Sequence, residues 1–210
     1  MHPFRGPEGR LDDGRVRREG GEADLHRAAA NIARIDGTNS YLKGLPEFAV
    51  SVALIEDGVA LMGAVFNPAR NEFFEAVKGG GARLNDNIIS VSACTDVAQM
   101  RILASRSEHS EAGWPERFHA DNVYAMSSIA YKLALVSDGR FDAAASAWPK
   151  ADWDICAGCL LVSEAGGITT SIAGNQLIFN RERPLHPTCL ASNAHLHDDL
   201  MAELGDWAEN

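Results

Sequence analysis

The residues Ile35-Asp36-Gly37-Thr38 combine a carboxylate, a conformationally free residue and a hydroxyl in one short stretch. A carboxylate suits a hard cation such as magnesium. Asp followed by Gly-Thr at a strand-to-helix junction also leaves backbone N–H groups free to point at a phosphate. Gly37 allows close backbone approach, and the Thr38 hydroxyl could orient a water. The same residues are ordinary turn chemistry, and taken alone that simpler reading prevails. A second stretch, Lys150-Ala151-Asp152-Trp153-Asp154, places two carboxylates ahead of an apolar helix. Asp152 reads as a helix cap. Asp154 falls where the helix becomes buried, so its charge needs a partner, and a metal ion would be one.

Other residues invite chemistry less strongly. Cys156, Cys159, His186 and Cys189 have the ligand count of a structural zinc site. Cys156 and Cys159 lie one turn apart inside the apolar helix, however, where cysteine behaves as a small hydrophobe, and the core reading is preferred. His195 and His197 read as solvent-exposed. Lys132 either faces a phosphate or is solvated, and the same two readings hold for Lys150 toward an anionic substrate. The run Lys78-Gly79-Gly80-Gly81 lacks the Gly-Lys-Ser/Thr ending of a phosphate loop and reads as a hairpin turn. Trp114, Trp148 and Trp207 read as packing residues.

The elements that must position these groups follow from periodicity and turn residues. Residues 47–56 and 59–67 are β-rich runs joined through Asp57-Gly58, a strong hairpin signal. Residues 71–77 predict a third strand, residues 78–92 a short hairpin around Asp86-Asn87, and residues 100–107 a further strand. Ile129, Leu133 and Val136 recur at helical spacing, with Gly139 as a stop. Residues 141–146 return to strand, and residues 152–167 predict a buried helix with a Gly-Gly end. Short strands at 167–171 and 175–180, a run at 189–194 and a final amphipathic helix at 195–207 complete the chain. Strand runs mixed with helices predict α+β or layered α/β, without the regular alternation of a doubly wound sheet.

Composition bounds the function. The 210 residues have room for one good-sized domain or two small ones sharing an interface, and apolar and charged fractions of 46% and 23% are those of a globular protein. A formal net charge of −10 argues against a nucleic-acid partner. The sequence has no apolar run long enough for a membrane span and predicts no signal peptide. Four cysteines make no disulfide framework and point to the cytoplasm. Residues 1–30 are rich in Arg, Gly and acidic residues. They predict disorder, with one helical turn from Glu22 to Ala30, so the folded domain is expected over 31–210.

Ile35-Asp36-Gly37-Thr38 followed by Trp153-Asp154-Ile155-Cys156-Ala157-Gly158 and Glu164-Ala165-Gly166-Gly167 resembles the inositol monophosphatase family. That resemblance implies a layered αβαβα fold and two-metal, magnesium-dependent hydrolysis of a small phosphate ester, in a homodimer. It implies that Asp36 and Asp154 bind the leaving-group magnesium and that the Ile35 carbonyl binds the other ion. Thr38 would help activate the attacking water, and the Gly37 and Thr38 amides would hold phosphate. Ser127 and Ser128 would meet the rest of the substrate. The substrate implied is adenosine 3′,5′-bisphosphate, as in the bacterial nucleotidase branch, or inositol 1-phosphate.

The chain departs from the family pattern at two places. The family reads Asp-Pro-Ile-Asp-Gly-Thr, whereas here Ala33 and Arg34 precede Ile35. The absent Asp bridges both ions. A Glu-Glu pair expected upstream also has no counterpart in the 34 residues before Ile35. Activity is therefore expected to be much reduced or lost, because the nucleophile-side ion lacks its ligands. Two explanations stay open at this point: residues 1–34 are not the ancestral N-terminus, or the chain is a selected pseudoenzyme that binds without turnover. Loss of N-terminal helices is also expected to expose apolar surface.

Overall fold

The computed structural model describes residues 17–18, 21–22, 28–111 and 114–209. Most of the expected disordered segment lies outside these residues. A short antiparallel pair, β1 (Arg17–Arg18) and β2 (Gly21–Glu22), precedes β3 (Ala28–Asp36) and the short helix α1 (Thr38–Leu42). The helical turn expected to reach Ala30 is thus corrected, since Ala28, Ala29 and Ala30 pair with Glu56, Ile55 and Leu54 as strand.

An antiparallel meander follows: β4 (Ala49–Glu56), β5 (Val59–Asn67), β6 (Glu72–Val77), β7 (Ala82–Leu84) and β8 (Asn87–Ile89). With β3 it forms one six-stranded sheet in sequence order. Asp57 and Gly58 both sit at positive φ, 48° and 82°, as the two-residue hairpin turn requires. The second hairpin turns on Asn85 and Asp86, at φ 46° and 70°, one residue earlier than the sequence suggests. The register between β3 and β4 shifts between Ile32 and Ile35. Ala33 and Arg34 therefore fall in a strand irregularity, a device that re-aims the chain, immediately before Asp36.

Next come β9 (Ile102–Ser105), α2 (Arg106–Glu111), α3 (Trp114–Arg117), β10 (Val123–Met126) and α4 (Ile129–Ser137). They are followed by β11 (Ala143–Ser146), β12 (Lys150–Ala151), α5 (Asp152–Glu164) and β13 (Gly167–Thr170). The chain closes with β14 (Leu185–His186), β15 (Cys189–Asn193) and α6 (His197–Leu204). The second sheet has five strands in the order β10-β9-β11-β15-β13. Its central strands are buried on both faces, which explains their continuous rather than alternating apolar runs. Leu103, Ala144, Cys189 and Ala191 face α4 and α5 within one core. Ile102, Ala104, Ala143, Ala145 and Leu190 face Trp114, Trp207 and α6 within another.

Helices α4 and α5 thus form a layer between the two sheets. Their contact is close because Gly158 carries no side chain: a Cβ there would lie 2.5 Å from Leu133 Cβ. The strand expected at 175–180 does not form. Leu177 and Phe179 enter the core, the Phe179 amide donates to the Gly58 carbonyl at 3.0 Å, and the Asn180 amide is captured by Asp152 at 2.6 Å. No described helix is long and apolar enough to cross a membrane.

Candidate active site

Strand β3 ends at Asp36 because Gly37 adopts φ +84°, a left-handed conformation in which a Cβ would lie 2.5 Å from the Glu47 carbonyl oxygen. The chain then turns into α1, whose first bonds run from the Ser40 and Tyr41 amides to the Gly37 carbonyl at 2.9 and 3.1 Å. The Thr38 hydroxyl donates to the Ile35 carbonyl at 2.9 Å. Spending its proton there leaves the hydroxyl oxygen as an acceptor, the polarity needed to receive a proton from a water. The Ile35 carbonyl keeps a second lone pair.

Asp36 is held from α4. Its Oδ2 accepts Ser128 Oγ at 2.6 Å and the Ala130 amide at 2.8 Å. Ser128 is also the N-cap of α4, accepting the Tyr131 amide at 3.1 Å. Ser128 is fully buried and stands behind Asp36. Ser127 is placed differently: it accepts Ser40 Oγ at 2.7 Å and lines an open cleft of about 530 Å³ with Gly37, Thr38, Asn39, Lys43, Ser105, Arg106 and Ser107. The Arg106 guanidinium in that cleft pairs with Glu47 through Nε at 3.1 Å.

Asp154 enters from the first turn of α5, where its Oδ2 accepts the Ala151 amide at 3.2 Å. Burial raises the Asp154 pKa above the ordinary carboxylate value, and the negative charge of Asp36 raises it further. Burial likewise raises Asp36, against the opposing effects of Ser128, Ala130, Lys132 and the Gly37 amide. The fold therefore brings the two carboxylates singled out in the sequence into electrostatic contact. Two like charges in a partly desolvated site favour a cation, and the donor set suits one magnesium ion completed by waters and ligand oxygens. Among the described residues no group of three or more His, Cys, Asp or Glu side chains is arranged to hold a metal. The residues present fit one ion and not a pair.

The remaining candidates resolve into structure. Asp152 is no simple cap: it accepts His186 Nε2 at 2.8 Å as well as the Asn180 amide, and so ties the 180–186 segment to α5. Cys156, Cys159 and Cys189 belong to the core. The amides of Gly79 and Gly81 donate to the two carboxylate oxygens of Glu164, at 2.8 and 2.9 Å. His195 is exposed as expected, but His197 is buried, with Nδ1 on Ser192 Oγ at 2.8 Å and Nε2 on Thr170 Oγ1 at 2.9 Å. Burial lowers its pKa. Trp114 and Trp207 pack edge to face with centroids 4.9 Å apart, while Trp148 is 38% exposed. Lys150 does not approach the cleft and instead pairs with Glu108 at 3.1 Å. Glu108, fully buried, was invisible to sequence reasoning, since nothing in its neighbours marks it as interior.

The sequence model of the inositol monophosphatase family matches residues 35–206. The chain is 37% identical over 171 residues to a protein described as Nus factor SuhB from Xylella fastidiosa, covering 78% of this chain and 62% of that protein. It is 36% identical over 151 residues to an inositol-1-monophosphatase from Rhizobium meliloti, covering 67% of this chain and 55% of the relative. The chain thus spans less than two thirds of these relatives. Among solved structures, an IMPase from Thermotoga maritima superposes with a TM-score of 0.78 at 30% identity, covering 91% of this chain and 74% of that one. The extragenic suppressor protein suhB from Bartonella henselae gives a TM-score of 0.77, also at 30% identity, with coverages of 89% and 73%.

Proposed function

Because the chain belongs to the inositol monophosphatase family, we propose that it carries the site of a magnesium-dependent phosphomonoesterase for small phosphate esters, with catalysis impaired by the missing bridging carboxylate. The observation that carries this reading is the electrostatic contact of Asp36 and Asp154, from a sheet and the helical layer packed on it, with Asp36 next to a cleft lined by Gly37 and Thr38. Asp36 and Asp154 would hold one magnesium ion, which as a Lewis acid supplies charge stabilisation for a departing oxygen.

The chain's own residues do the rest. Ser128 and Ala130 fix Asp36, and the Ala151 amide fixes Asp154. The cleft beside Gly37 and Thr38 receives the phosphate, and the Thr38 hydroxyl, its proton engaged by Ile35, orients a water through its oxygen. Ser127 meets the rest of the ester. The substrates proposed are adenosine 3′,5′-bisphosphate and inositol 1-phosphate. The four free cysteines support the proposal of a cytoplasmic protein, and family membership supports a homodimer.

The test is phosphate release from both esters, with and without magnesium, beside an Asp36→Asn control. Magnesium-dependent release that disappears in Asp36→Asn, at a rate well below that of full family members, is the expected result. Release indifferent to magnesium or to Asp36 would refute the reading. A second reading, a binding protein without turnover, is favoured by the absence of a third metal-ligating side chain among the described residues. It predicts magnesium-dependent ester binding with no phosphate released.

A further inference from the structure

Lys132 lies on α4 two residues beyond Ala130, whose amide holds Asp36. Its side chain is fully buried, and its Nζ has no hydrogen-bond partner among the described residues. An ammonium offers three donors, and leaving all three bare in the interior is costly. The sequence offered two readings for it, a solvated lysine or a phosphate contact, and the structure shows a buried charge that does not line the cleft.

The surroundings explain where that charge is directed. Burial pulls the Lys132 pKa down to about 8; the carboxylates that oppose this are Glu108 first and then Asp36, while Lys150 adds to it. Glu108 is already satisfied: Oε1 accepts Ser146 Oγ at 2.6 Å and Lys150 Nζ at 3.1 Å, and Oε2 accepts the Ala147 amide at 2.8 Å. Lys150 also neutralises it. Of the two carboxylates Glu108 already has a lysine in direct contact, whereas Asp36 has no ion pair among the described residues.

We propose that Lys132 is a resident cation of the site, neutralising Asp36 from the interior and competing with the divalent ion for that carboxylate. The inference rests on the reading of Asp36 and Asp154 as the ion's ligands. With Lys132 in place, an incoming divalent ion meets a net charge of about −1 rather than −2, because one unit charge offsets another across a poorly screened interior. Lys132 therefore acts as a positioning residue that weakens metal binding without touching the metal.

The test is manganese binding to the full chain, followed by electron paramagnetic resonance, for the wild type, Lys132→Met and Asp36→Asn. Removing the ammonium is expected to tighten manganese binding about tenfold or more. A merely structural role for Lys132 would have the opposite sign, since a disturbed α4 loosens Asp36. Unchanged or weaker binding in Lys132→Met, with binding still abolished by Asp36→Asn, overturns this inference and leaves the metal site standing. Wild-type manganese binding that survives Asp36→Asn overturns the metal site itself, and the inference with it. Should Lys132→Met fail to fold by near-ultraviolet circular dichroism, Lys132→Gln removes the same charge at similar length and is held to the same outcomes.

Discussion

Ser128 and Asp36 are 92 positions apart in the chain, yet the Ser128 hydroxyl donates to Asp36 Oδ2 at 2.6 Å while its oxygen caps α4 by accepting the Tyr131 amide. One side chain thereby joins the end of the first sheet to the start of a helix in the middle layer. The second carboxylate arrives from α5, which packs on α4 through Gly158. The geometry of the site is therefore set by the α4–α5 contact more than by the loop that carries Gly37 and Thr38.

Replacing Ser128 with Ala removes both bonds at once. Loss of an N-cap typically costs about 1 kcal/mol, and an unanswered buried carboxylate adds a comparable amount. Ser128→Ala is expected to lower Tm by roughly 4–8 °C and to weaken magnesium binding. Ser127→Ala, in the open cleft, should leave Tm nearly unchanged. Thermal melts of the two variants side by side check this, and equal Tm values for both would contradict the assignment.

The α4–α5 contact makes a second prediction. A Cβ at Gly158 would stand 2.5 Å from Leu133 Cβ and 2.7 Å from its Cδ1. Overpacking of this kind costs about 1–3 kcal/mol. Shortening Leu133 alone opens a cavity at a cost of about 2–5 kcal/mol. Leu133→Ala keeps the Cβ but removes the Cγ and Cδ1 overlaps, so the double variant Gly158→Ala, Leu133→Ala should lose somewhat less than the sum of the two. Denaturant unfolding of the four proteins gives the coupling directly, and strict additivity would show that the helices do not meet at this point.

Where local signals were strong, the fold was legible. Asp57-Gly58 announced its hairpin by residue types comfortable at two consecutive positive φ values. The apolar spacing of Ile129, Leu133 and Val136 announced α4, and Asp36 and Asp154, singled out at element boundaries, lie within electrostatic reach of each other. Strand β3 was missed at Ala28–Ala30 because alanine favours helix, and the strand exists through pairing with β4. His197 was read as exposed because its partners, Ser192 and Thr170, come from strands of the second sheet. Ser128, Glu108 and Lys132 share that difficulty, since burial of a polar group depends on neighbours distant in sequence.

The raised carboxylates predict an unusual pH dependence. A carboxylate whose folded pKa exceeds its unfolded value contributes stability below the unfolded pKa and loses it as pH rises through the folded one. Asp36 and Asp154 are both raised above 3.8, so the metal-free protein should lose stability from these groups as pH rises above about 3.8. A bound cation offsets the burial of these two charges, and at Asp154 also the repulsion from Asp36, which together cause the loss. Melts with added magnesium, compared with melts in a chelator, should therefore show a smaller Tm advantage at pH 5 than at pH 8. Asp154→Asn should raise the metal-free Tm at pH 8 and abolish the magnesium effect. A magnesium effect that persists in Asp154→Asn would place the cation elsewhere.

The outer face of the six-stranded sheet makes the last prediction. Alternation along β4, β5 and β6 buries one set of side chains against α5 and turns the other outward. In this chain the outward set is mostly apolar: around Glu75, Val50, Val52, Met62, Phe73 and Val77 are 37%, 38%, 50%, 41% and 49% exposed. Ordinary antiparallel sheets place polar residues on an uncovered face, and a contiguous apolar patch drives association. The isolated chain should therefore self-associate in sedimentation velocity, with the associated fraction rising with protein concentration. Met62→Lys with Phe73→Lys, one charge toward each end of the patch, should shift it toward monomer while leaving magnesium binding at Asp36 and Asp154 unchanged, since those carboxylates lie at the strand end and on the opposite side. A chain that remains monomeric at all concentrations without these substitutions would mean that the face is covered by another part of the protein.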